Sequence, residues 1–485
     1  MIIVHLQEHR HSYPVCDILQ LFFSAAKTVE SPEGSIYCQS DDGKTEQTEI
    51  YSMIDKSCTV RTFFSIDRSN EINCVVPEVK IKREIKRQLY FLLSSYLHRK
   101  YPWGSLTGIR PTLVGRESMR EFTSEEKSTA FLTEYYGVHK GKSKLCIETA
   151  EAEDNVLAKI SGNEIMAYIG IPFCKTRCSY CSFISSEATG KTNLLPEYLQ
   201  ALLKEIRTFL TYHPYRFSSL YIGGGTPTIF DDRQFAEFIH ESMSLFAHEN
   251  IREITVEAGR ADTITESKLR TLHTAGIKRI CINPQTLCNE TLKRIGRGHT
   301  REDFITAYQM AKKIGFDVIN TDLIAGLPEE SSESFQKSLD ELITLQPENI
   351  TIHTLYKKRA SVMQQQEIFI SHDLEWEKQT GLMISYAHEK LHAAGYLPYY
   401  MYRQKNTVGG HENTGYAKPG FECIYNTAMM SDQYSIAAFG SGISKRIFPG
   451  GRLERCPGLK SPNEYIHRID EIIQRKIDFF AYNIE

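Results

Sequence analysis

The stretch Tyr168-Ile-Gly-Ile-Pro-Phe-Cys-Lys-Thr-Arg-Cys-Ser-Tyr-Cys-Ser-Phe183 places three cysteines in one short segment, with the spacing C-x3-C-x2-C. An apolar run precedes them, so we expect Cys174, Cys178 and Cys181 to lie in a loop after a buried strand. Three thiolates at this spacing can bind three irons of a cubane [4Fe–4S] cluster, which leaves the fourth iron open for chemistry. A zinc ribbon fits poorly because no second Cys or His pair stands near the triplet. The spacing alone also allows a chance triplet or a partial zinc site.

A glycine motif follows downstream, in Ser219-Leu-Tyr-Ile-Gly-Gly-Gly-Thr-Pro-Thr228. An apolar run that ends in three glycines exposes backbone groups at the end of a strand, where a small zwitterion can bind, although a glycine triplet by itself is often only a tight turn. Together the two motifs resemble the radical S-adenosylmethionine (SAM) superfamily. The resemblance implies that the three cysteines bind the cluster, that SAM chelates the open iron, and that Tyr180 lies beside the adenine.

Composition favours a cytoplasmic enzyme with two or three domains. The chain has 485 residues, 41% hydrophobic and 24% charged, with a net charge of −3, which gives no reason to expect nucleic acid or a membrane as partner. The first ten residues lack the apolar core of a signal peptide, and no run of 18 apolar residues occurs. The twelve cysteines are mostly isolated, so we expect reduced thiols and no disulfide framework. We expect the protein to be a monomer.

Hydrophobic periodicity predicts an α/β fold. Strand-like apolar runs occur at 165–171, 219–223, 253–258, 279–284, 317–324 and 349–355. Amphipathic segments alternate with them at 195–211, 232–247, 264–274, 301–314 and 332–345. Alternating strands and helices of this kind form right-handed βαβ units, so we predict an incomplete (β/α)6 barrel with its functional residues at the carboxyl ends of the strands.

Polar residues stand at several predicted strand ends. Glu257, Gln285 and Asp322 end or interrupt three of the runs, and Arg297 follows in Ile-Gly-Arg-Gly-His-Thr. Each of them alone is an ordinary helix cap or a solvent contact. As a set they supply the residue types that SAM needs, namely acceptors for its amino group and ribose and a cation for its carboxylate.

This series, with Asp322-Leu-Ile-Ala-Gly-Leu-Pro328, resembles the oxygen-independent coproporphyrinogen III oxidase group. Three flanking segments resemble its HemZ branch, namely 102–111, 402–406 and 415–420. The resemblance implies a catalytic centre of the three cysteines and Tyr168. It also implies SAM contacts from Tyr168, Tyr180, Gly224, Gly225, Thr226, Glu257, Gln285, Arg297 and Asp322. The implied reaction converts two propionates of a porphyrinogen to vinyl groups, giving protoporphyrinogen IX, with a reductant such as flavodoxin or ferredoxin.

One departure from the group leaves alternatives open. Decarboxylating members carry a fourth cysteine two residues after the third, whereas Cys181 is followed by Ser182 and Phe183. Cluster binding and SAM cleavage are compatible with this change. A haem-binding carrier, or another radical SAM transferase that methylates a porphyrin or a tRNA, therefore competes with the dehydrogenase.

We divide the chain into an N-terminal α+β domain (1–160), a radical SAM core (163–356) and a C-terminal covering region (357–485), with a linker or connecting helix near 148–162. A basic amphipathic helix is predicted at 80–93, docked on its own sheet, with contact to RNA or an acidic partner as the alternative. Candidate cations for the substrate carboxylates lie in the C-terminal region, where ordinary surface charge is the alternative for each: Lys357, Lys358, Arg359, Arg403, Lys405, Lys445 and Arg446.

Overall fold

The computed structural model describes residues 1–23, 28–30, 35–38, 47–65, 70–108, 110–181, 186–187, 194–212, 215–356 and 373–481. These residues form two compact units. The first contains 1–150, 373–377 and 402–412 of the described chain, and the second contains 151–356, 378–401 and 413–481. The segment proposed as a linker or connecting helix is helical up to Leu157. The three-part division of the chain stays a prediction.

The first unit is built on a six-stranded sheet with the order β2-β3-β1-β4-β5-β6. Its strands are β1 (Ile2–Gln7), β2 (Thr28–Glu30), β3 (Ser35–Cys38), β4 (Thr48–Ile54), β5 (Thr59–Phe64) and β6 (Ile72–Val75). The basic helix Ile81–Leu97 buries Ile85, Leu89 and Leu93, at a spacing of four residues, in the core of this unit. The prediction of an amphipathic helix docked on its own core is therefore confirmed.

The second unit contains the barrel. Its six parallel strands are β7 (Glu164–Ile171), β10 (Arg216–Gly224), β11 (Glu253–Gly259), β12 (Arg279–Ile282), β13 (Val318–Ala325) and β14 (Asn349–Thr354). A short parallel pair, β8 (Phe173–Cys174) and β9 (Ser186–Glu187), lies in the cysteine loop. All six strands predicted from the apolar runs are present, and the prediction of an incomplete (β/α)6 barrel is confirmed.

Strands from the C-terminal region extend both edges of this sheet to eleven strands in all, β15-β16-β14-β13-β12-β11-β10-β7-β17-β18-β19. The added strands are β15 (Leu397–Arg403), β16 (Glu412–Ala417), β17 (Ile436–Gly440), β18 (Ile443–Ile447) and β19 (Leu453–Pro457). Strand β17 runs parallel to β7, and β16 runs antiparallel to β14. The glycine-rich run 437–443 thus forms most of an edge-covering strand and the turn after it.

The helices of the described chain are α1 (Ser12–Phe22), α2 (Ile81–Leu97), α3 (Pro111–Phe122), α4 (Glu125–Tyr136), α5 (Lys140–Leu157), α6 (Leu195–Tyr212), α7 (Asp232–Leu245), α8 (Glu266–Thr274), α9 (Asn289–Arg294), α10 (Arg301–Ile314), α11 (Ser332–Leu345), α12 (Leu374–Ala393), α13 (Ile424–Ser431), α14 (Pro462–His467) and α15 (Ile469–Ala481). Side-chain caps start the barrel helices α7, α8, α10 and α11, and Thr300 with Asp303 forms a full capping box at α10. Within the described chain, no helix combines the length and apolar character that crossing a membrane requires.

Candidate functional site

The glycine motif ends β10 and packs against the start of the cysteine loop. The Gly225 amide donates to the Ile171 carbonyl at 2.7 Å, and the Thr226 amide donates to the Phe173 carbonyl at 2.8 Å. A Cβ at Gly225 would lie 2.5 Å from the Phe173 oxygen and 2.9 Å from the Cys174 sulfur, so only glycine allows this approach. The Thr226 hydroxyl donates to the Cys174 sulfur at 3.5 Å. The motif therefore fixes where the loop begins.

Arg297 lies next to Cys178. Its Nη1 donates to the Cys178 sulfur at 3.6 Å, and its Nη2 donates to the carbonyls of Asn283 (2.7 Å) and Gly259 (3.2 Å). Its Nε is a buried donor with no partner among the described residues. A guanidinium stabilises a neighbouring thiolate, and a buried donor without a partner favours an acceptor supplied by a ligand. Arg297 can thus donate hydrogen bonds both to the cysteine loop and to a bound carboxylate.

Arg260 is a second cation at the loop, which the sequence analysis did not single out. It is buried and donates from Nη1 to the Thr176 carbonyl at 2.9 Å, with Nη1 4.0 Å from the Cys178 sulfur. Asp262 accepts from its Nε and Nη2 at 2.9 and 3.0 Å. Burial would raise the pKa of Asp262, but the pair with Arg260 lowers it below its ordinary value, so the carboxylate stays charged. The signal that could have identified Arg260 is its place directly after the end of β11.

The three cysteines supply thiolate ligands of the kind that an iron–sulfur cluster binds. Cys178 is buried, Cys174 and Cys181 are half-buried, and the Cys181 amide donates to the Cys178 carbonyl at 3.1 Å. In the described residues, no three His, Cys, Asp or Glu side chains converge enough to hold one ion. A cubane cluster binds each thiolate through a different iron, so its ligands stand apart. The two guanidinium groups beside Cys178 suit a negatively charged cluster.

Tyr180, predicted to lie by the adenine, is half-buried between these cysteines. Burial raises its pKa well above the ordinary value, and the neighbouring Cys178 and Cys181 raise it further despite Arg297. Burial would lower the pKa of Arg297, but Tyr180 and Cys178 outweigh that effect and raise it. The phenol is therefore neutral and the guanidinium charged, which suits an adenine next to a carboxylate.

Glu257, at the end of β11, contacts the glycine motif. The Tyr221 hydroxyl donates to its Oε1 at 2.7 Å, and the Gly224 amide donates to its Oε2 at 3.2 Å. Burial raises the pKa of Glu257 to about 7, with a further rise caused by Asp322, while the two hydrogen bonds lower it. Near neutral pH this carboxyl is therefore poised between an acceptor and a donor state.

Gln285 and Asp322 meet through their backbones. The Gln285 amide donates to the Asp322 carbonyl, and the Ile324 amide donates to the Gln285 carbonyl, both at 2.9 Å. Gln285 has φ = +72°, a strained value for a residue other than glycine, which is found mostly where the structure requires it. The Asp322 carboxylate accepts from Asn320 at 2.7 Å and lies 3.7 Å from the His353 ring nitrogen.

The structure joins the predicted residues into a few contacting groups at the carboxyl ends of the strands. Two tyrosines in one of these groups were missed. Tyr221 contacts Glu257 and pairs in register with Tyr168. Its place in the glycine motif, two residues before Gly223, was the signal that could have found it. Tyr425, from α13, stacks on Tyr221 with ring centroids 4.6 Å apart, and no feature of the sequence pointed to it.

Four of the candidate substrate cations have partners close by within their own units. Arg403, Lys445 and Arg446 are buried and donate to backbone carbonyls, and Lys405 pairs with Asp17. Their assignment to a substrate stays a prediction. The remaining candidates lie outside the described residues, as do the two residues that follow the third cysteine: Lys357, Lys358, Arg359, Ser182 and Phe183.

Comparisons with known proteins agree with this geometry. Residues 168–342 match the family model of the radical SAM superfamily, whose members use a [4Fe–4S] cluster and SAM. Among solved structures, coproporphyrinogen III oxidase (HemN) from Escherichia coli is similar in fold, with a TM-score of 0.51 and 22% identity over 67% of this chain and 73% of that one.

Two curated relatives are named for different activities. The chain is 37% identical to the oxygen-independent coproporphyrinogen-III oxidase-like protein HemZ of Bacillus subtilis, over 84% of this chain and 82% of the relative. It is 29% identical to the heme chaperone HemW of the same species, over 63% of this chain and 76% of the relative. This chain therefore belongs to the radical SAM superfamily and, within it, to the oxygen-independent coproporphyrinogen-III oxidase-like family that includes HemZ.

Proposed function

We propose that this protein is a radical SAM dehydrogenase that oxidatively decarboxylates two propionates of coproporphyrinogen III to vinyl groups, giving protoporphyrinogen IX. The observation that carries the proposal is the hydrogen bond from Arg297 to Cys178, which ties the strand-end residues to the cysteine loop. The substrate is suggested by the names of HemZ and HemN, the first of which is similar over most of this chain.

In this proposal Cys174, Cys178 and Cys181 hold the cluster. The SAM site then takes in the residues of the glycine motif and of the strand ends: Tyr168, Tyr180, Gly224, Gly225, Thr226, Glu257, Gln285, Arg297 and Asp322. When bound, the cluster and SAM supply a radical that removes a hydrogen atom from the propionate β-carbon. Each propionate loses that hydrogen atom to the radical, one electron to an external one-electron acceptor, and CO2, and the remaining two carbons form the vinyl group.

The chain's own residues hold charge and exclude water. Arg297 offers its unpartnered Nε to the SAM carboxylate, while Arg260 braces the loop through Thr176. Glu257 accepts from the SAM amino group while its carboxyl is ionised. The stacked rings of Tyr168, Tyr221 and Tyr425 exclude water from the barrel next to these groups.

An anaerobic assay tests the proposal. The iron-reconstituted protein is incubated with SAM, a strong reductant and coproporphyrinogen III, and deoxyadenosine and porphyrin products are followed by mass spectrometry. We expect protoporphyrinogen to form in step with deoxyadenosine, and we expect Cys178→Ala to abolish both products and the cluster absorbance. Deoxyadenosine without decarboxylated product would contradict the dehydrogenase, and SAM cleavage retained in Cys178→Ala would contradict the cluster assignment. We expect a flavodoxin or ferredoxin to replace the chemical reductant.

A haem carrier is the second candidate. It is favoured by the similarity to HemW and by the Ser182-Phe183 sequence in place of the family's fourth cysteine. Under this alternative, haem titrated into the reconstituted protein gives a stoichiometric Soret shift and no porphyrinogen is turned over. If the protein is the dehydrogenase, haem gives no stoichiometric Soret shift and the porphyrinogen is turned over.

A further inference from the structure

Tyr221 and Gly224 hold the Glu257 carboxylate from two sides. The Tyr221 hydroxyl donates to one oxygen at 2.7 Å, and the Gly224 amide donates to the other at 3.2 Å. A carboxylate with one fixed donor on each oxygen has its plane and rotamer defined. The lone pairs that remain then point in a fixed direction, so Glu257 presents a preset acceptor to a ligand amine.

The ring of Tyr221 is itself fixed. Tyr425 stacks on it with centroids 4.6 Å apart and an interplanar angle of 25°, and Tyr168 lies near both rings, at 6.2 Å from Tyr221 and 5.9 Å from Tyr425. A Cβ at Gly223 would lie 2.9 Å from the Tyr221 ring and from the Glu257 carboxyl group. The missing side chain at Gly223 therefore provides the space in which the phenol reaches the carboxylate.

Tyr425 is anchored by the barrel. It lies in the first turn of α13, where the Ile424 and Tyr425 amides donate to the two oxygens of the buried Glu253, at 3.0 and 3.1 Å. Arg279 places its Nε 3.4 Å from Glu253. The backing ring is thus held by a buried ion pair between β11 and β12, and the whole arrangement is rigid enough to orient a side chain.

We propose that Tyr221 is a positioning residue that, backed by Tyr425, orients Glu257 to accept the amino group of SAM. The inference rests on the assignment of Glu257 to SAM in the proposed function. It adds to that assignment two residues to which the sequence analysis assigned no role, and it predicts how each of them changes SAM binding.

The charge state of Glu257 gives the inference a specific signature. The titratable groups that face Glu257 come from six other elements and are Tyr168, Tyr221, Cys281, Asp322, His353 and Tyr425. Burial raises the pKa of Glu257 to about 7, and the Tyr221 hydrogen bond opposes that rise. Without the hydroxyl the pKa moves higher, so the ionised acceptor is populated only at higher pH.

The test is SAM binding by the full-length, cluster-reconstituted protein, measured anaerobically by isothermal titration calorimetry between pH 6 and 8.5. We expect Tyr221→Phe, which keeps the ring, to weaken binding about tenfold at neutral pH and to move the midpoint of its pH dependence upward. We expect Tyr425→Leu to weaken binding as well. Tyr308→Phe is the matched control, because it also removes a tyrosine hydroxyl, one that donates to the Leu345 carbonyl at 2.9 Å on the outer layer of the same unit.

The outcomes separate the claims. If Tyr221→Phe binds SAM with the wild-type affinity and pH profile while Glu257→Gln binds weakly, the positioning role is wrong. If Glu257→Gln also binds SAM as the wild type does, the assignment of Glu257 to SAM is wrong, and the positioning role of Tyr221 is wrong with it. If the wild type binds no SAM, both are wrong as well. If SAM binding responds to the variants as expected but the wild type forms no protoporphyrinogen, the positioning role of Tyr221 is supported and the dehydrogenase activity is contradicted.

Discussion

Gly223, Gly224 and Gly225 have different physical reasons for lacking a side chain. At Gly223 a Cβ would meet side-chain atoms, those of Glu257 and Tyr221. At Gly224 the backbone has φ = +115°, and a Cβ would lie 2.8 Å from the Ile171 carbonyl oxygen. At Gly225 a Cβ would meet the carbonyl of Phe173. The first glycine therefore shapes the site, while the other two seat the cysteine loop.

Gly223→Ala should separate these roles. Because the nearest atoms to the added methyl group belong to side chains and not to the backbone, we expect the protein to fold with a loss of about 1–3 kcal/mol in the free energy of unfolding. We also expect Glu257 to be displaced and SAM binding, measured by calorimetry, to weaken. Gly162→Ala is the control, since a Cβ there meets no atom within 4 Å among the described residues. Equal SAM affinity in the two variants would contradict the role given to Gly223.

Glu257 should make the protein without cluster and SAM less stable as the pH rises. Its pKa is about 7 in the folded protein against an ordinary value of 4.5, so the folded state binds more protons than the unfolded state between these two values. The free energy of unfolding contributed by this group therefore falls as the pH rises through that window. The side chain introduced in Glu257→Gln cannot ionise, so this variant avoids that loss of stability. We expect the melting temperature of the variant, relative to the wild type, to be higher at pH 8 than at pH 5, with the exposed Glu290→Gln showing no such change.

The sequence reveals the residues of this site that lie in short motifs. The cysteines and glycines are adjacent in the chain, and Glu257, Gln285 and Asp322 follow or interrupt predictable strands. Tyr425 could not be found in this way, because its ring reaches Tyr221 only through the packing of α13 against the barrel. Side chains brought together by tertiary structure leave no local signal.

At the scale of elements, α13 shows a cap supplied from another element. This helix of eight residues has Cys423 at its N-cap, and the Cys423 side chain makes no capping hydrogen bond to the helix. Glu253 of β11 accepts from the Ile424 and Tyr425 amides instead, which satisfies two of the donors that a helix start leaves open. Arg279 compensates the buried charge of Glu253 and also donates to Asn349 at 2.8 Å.

Arg279→Met should therefore be strongly destabilising. The variant leaves the Glu253 charge buried beside a helix start with no cation opposite it, and breaking a buried pair in this way costs about 3–5 kcal/mol. Urea unfolding monitored by circular dichroism measures the loss. The double variant Glu253→Gln with Arg279→Met removes the uncompensated charge as well, so we expect it to be more stable than the single variant. A double variant less stable than Arg279→Met would contradict the ion-pair account.

Elements with a clear period were predicted well, and elements defined by their neighbours were not. The barrel strands and helices agree closely with the apolar and amphipathic runs, because each buries one face against the same core. Strand β17 is short and rich in alanine, so only its place beside β7 makes it a strand.

On the scale of the whole molecule, each of the two units has its own core and its own buried charges. In the first unit, Glu412 accepts from Lys142 and from the Trp103 indole at 2.8 Å. Burial would raise the pKa of Glu412, but Lys142 and its other partners lower it to about 2. Residues 402–412 thus join a unit formed mainly by residues 1–150. Sequence order alone could not reveal this return of the chain, because it depends on contacts between residues far apart along it.

Lys142→Met tests whether this buried pair holds the first unit together. The variant removes the lysine charge that compensates the buried Glu412 carboxylate at neutral pH, so we expect a loss of about 3–5 kcal/mol in stability. In the wild type the pKa of about 2 means that the contribution of Glu412 is present above its ordinary value of 4.5 and is lost only as the pH falls toward 2.

Without Lys142, one of the groups that lower the pKa of Glu412 against burial is gone and the pKa moves upward, so acidification neutralises the carboxylate charge of the Lys142→Met variant. The deficit of the variant relative to the wild type should therefore shrink from pH 8 to pH 5, whereas the loss of packing alone would give the same deficit at both. Hydrogen exchange followed by mass spectrometry measures the loss of stability of the variant in each part of the chain. We expect faster exchange in peptides from α3 and α4 of the first unit and unchanged exchange in β11 to β13 of the barrel. Equal loss of protection in both units would show that the pair stabilises the chain globally and not the first unit in particular.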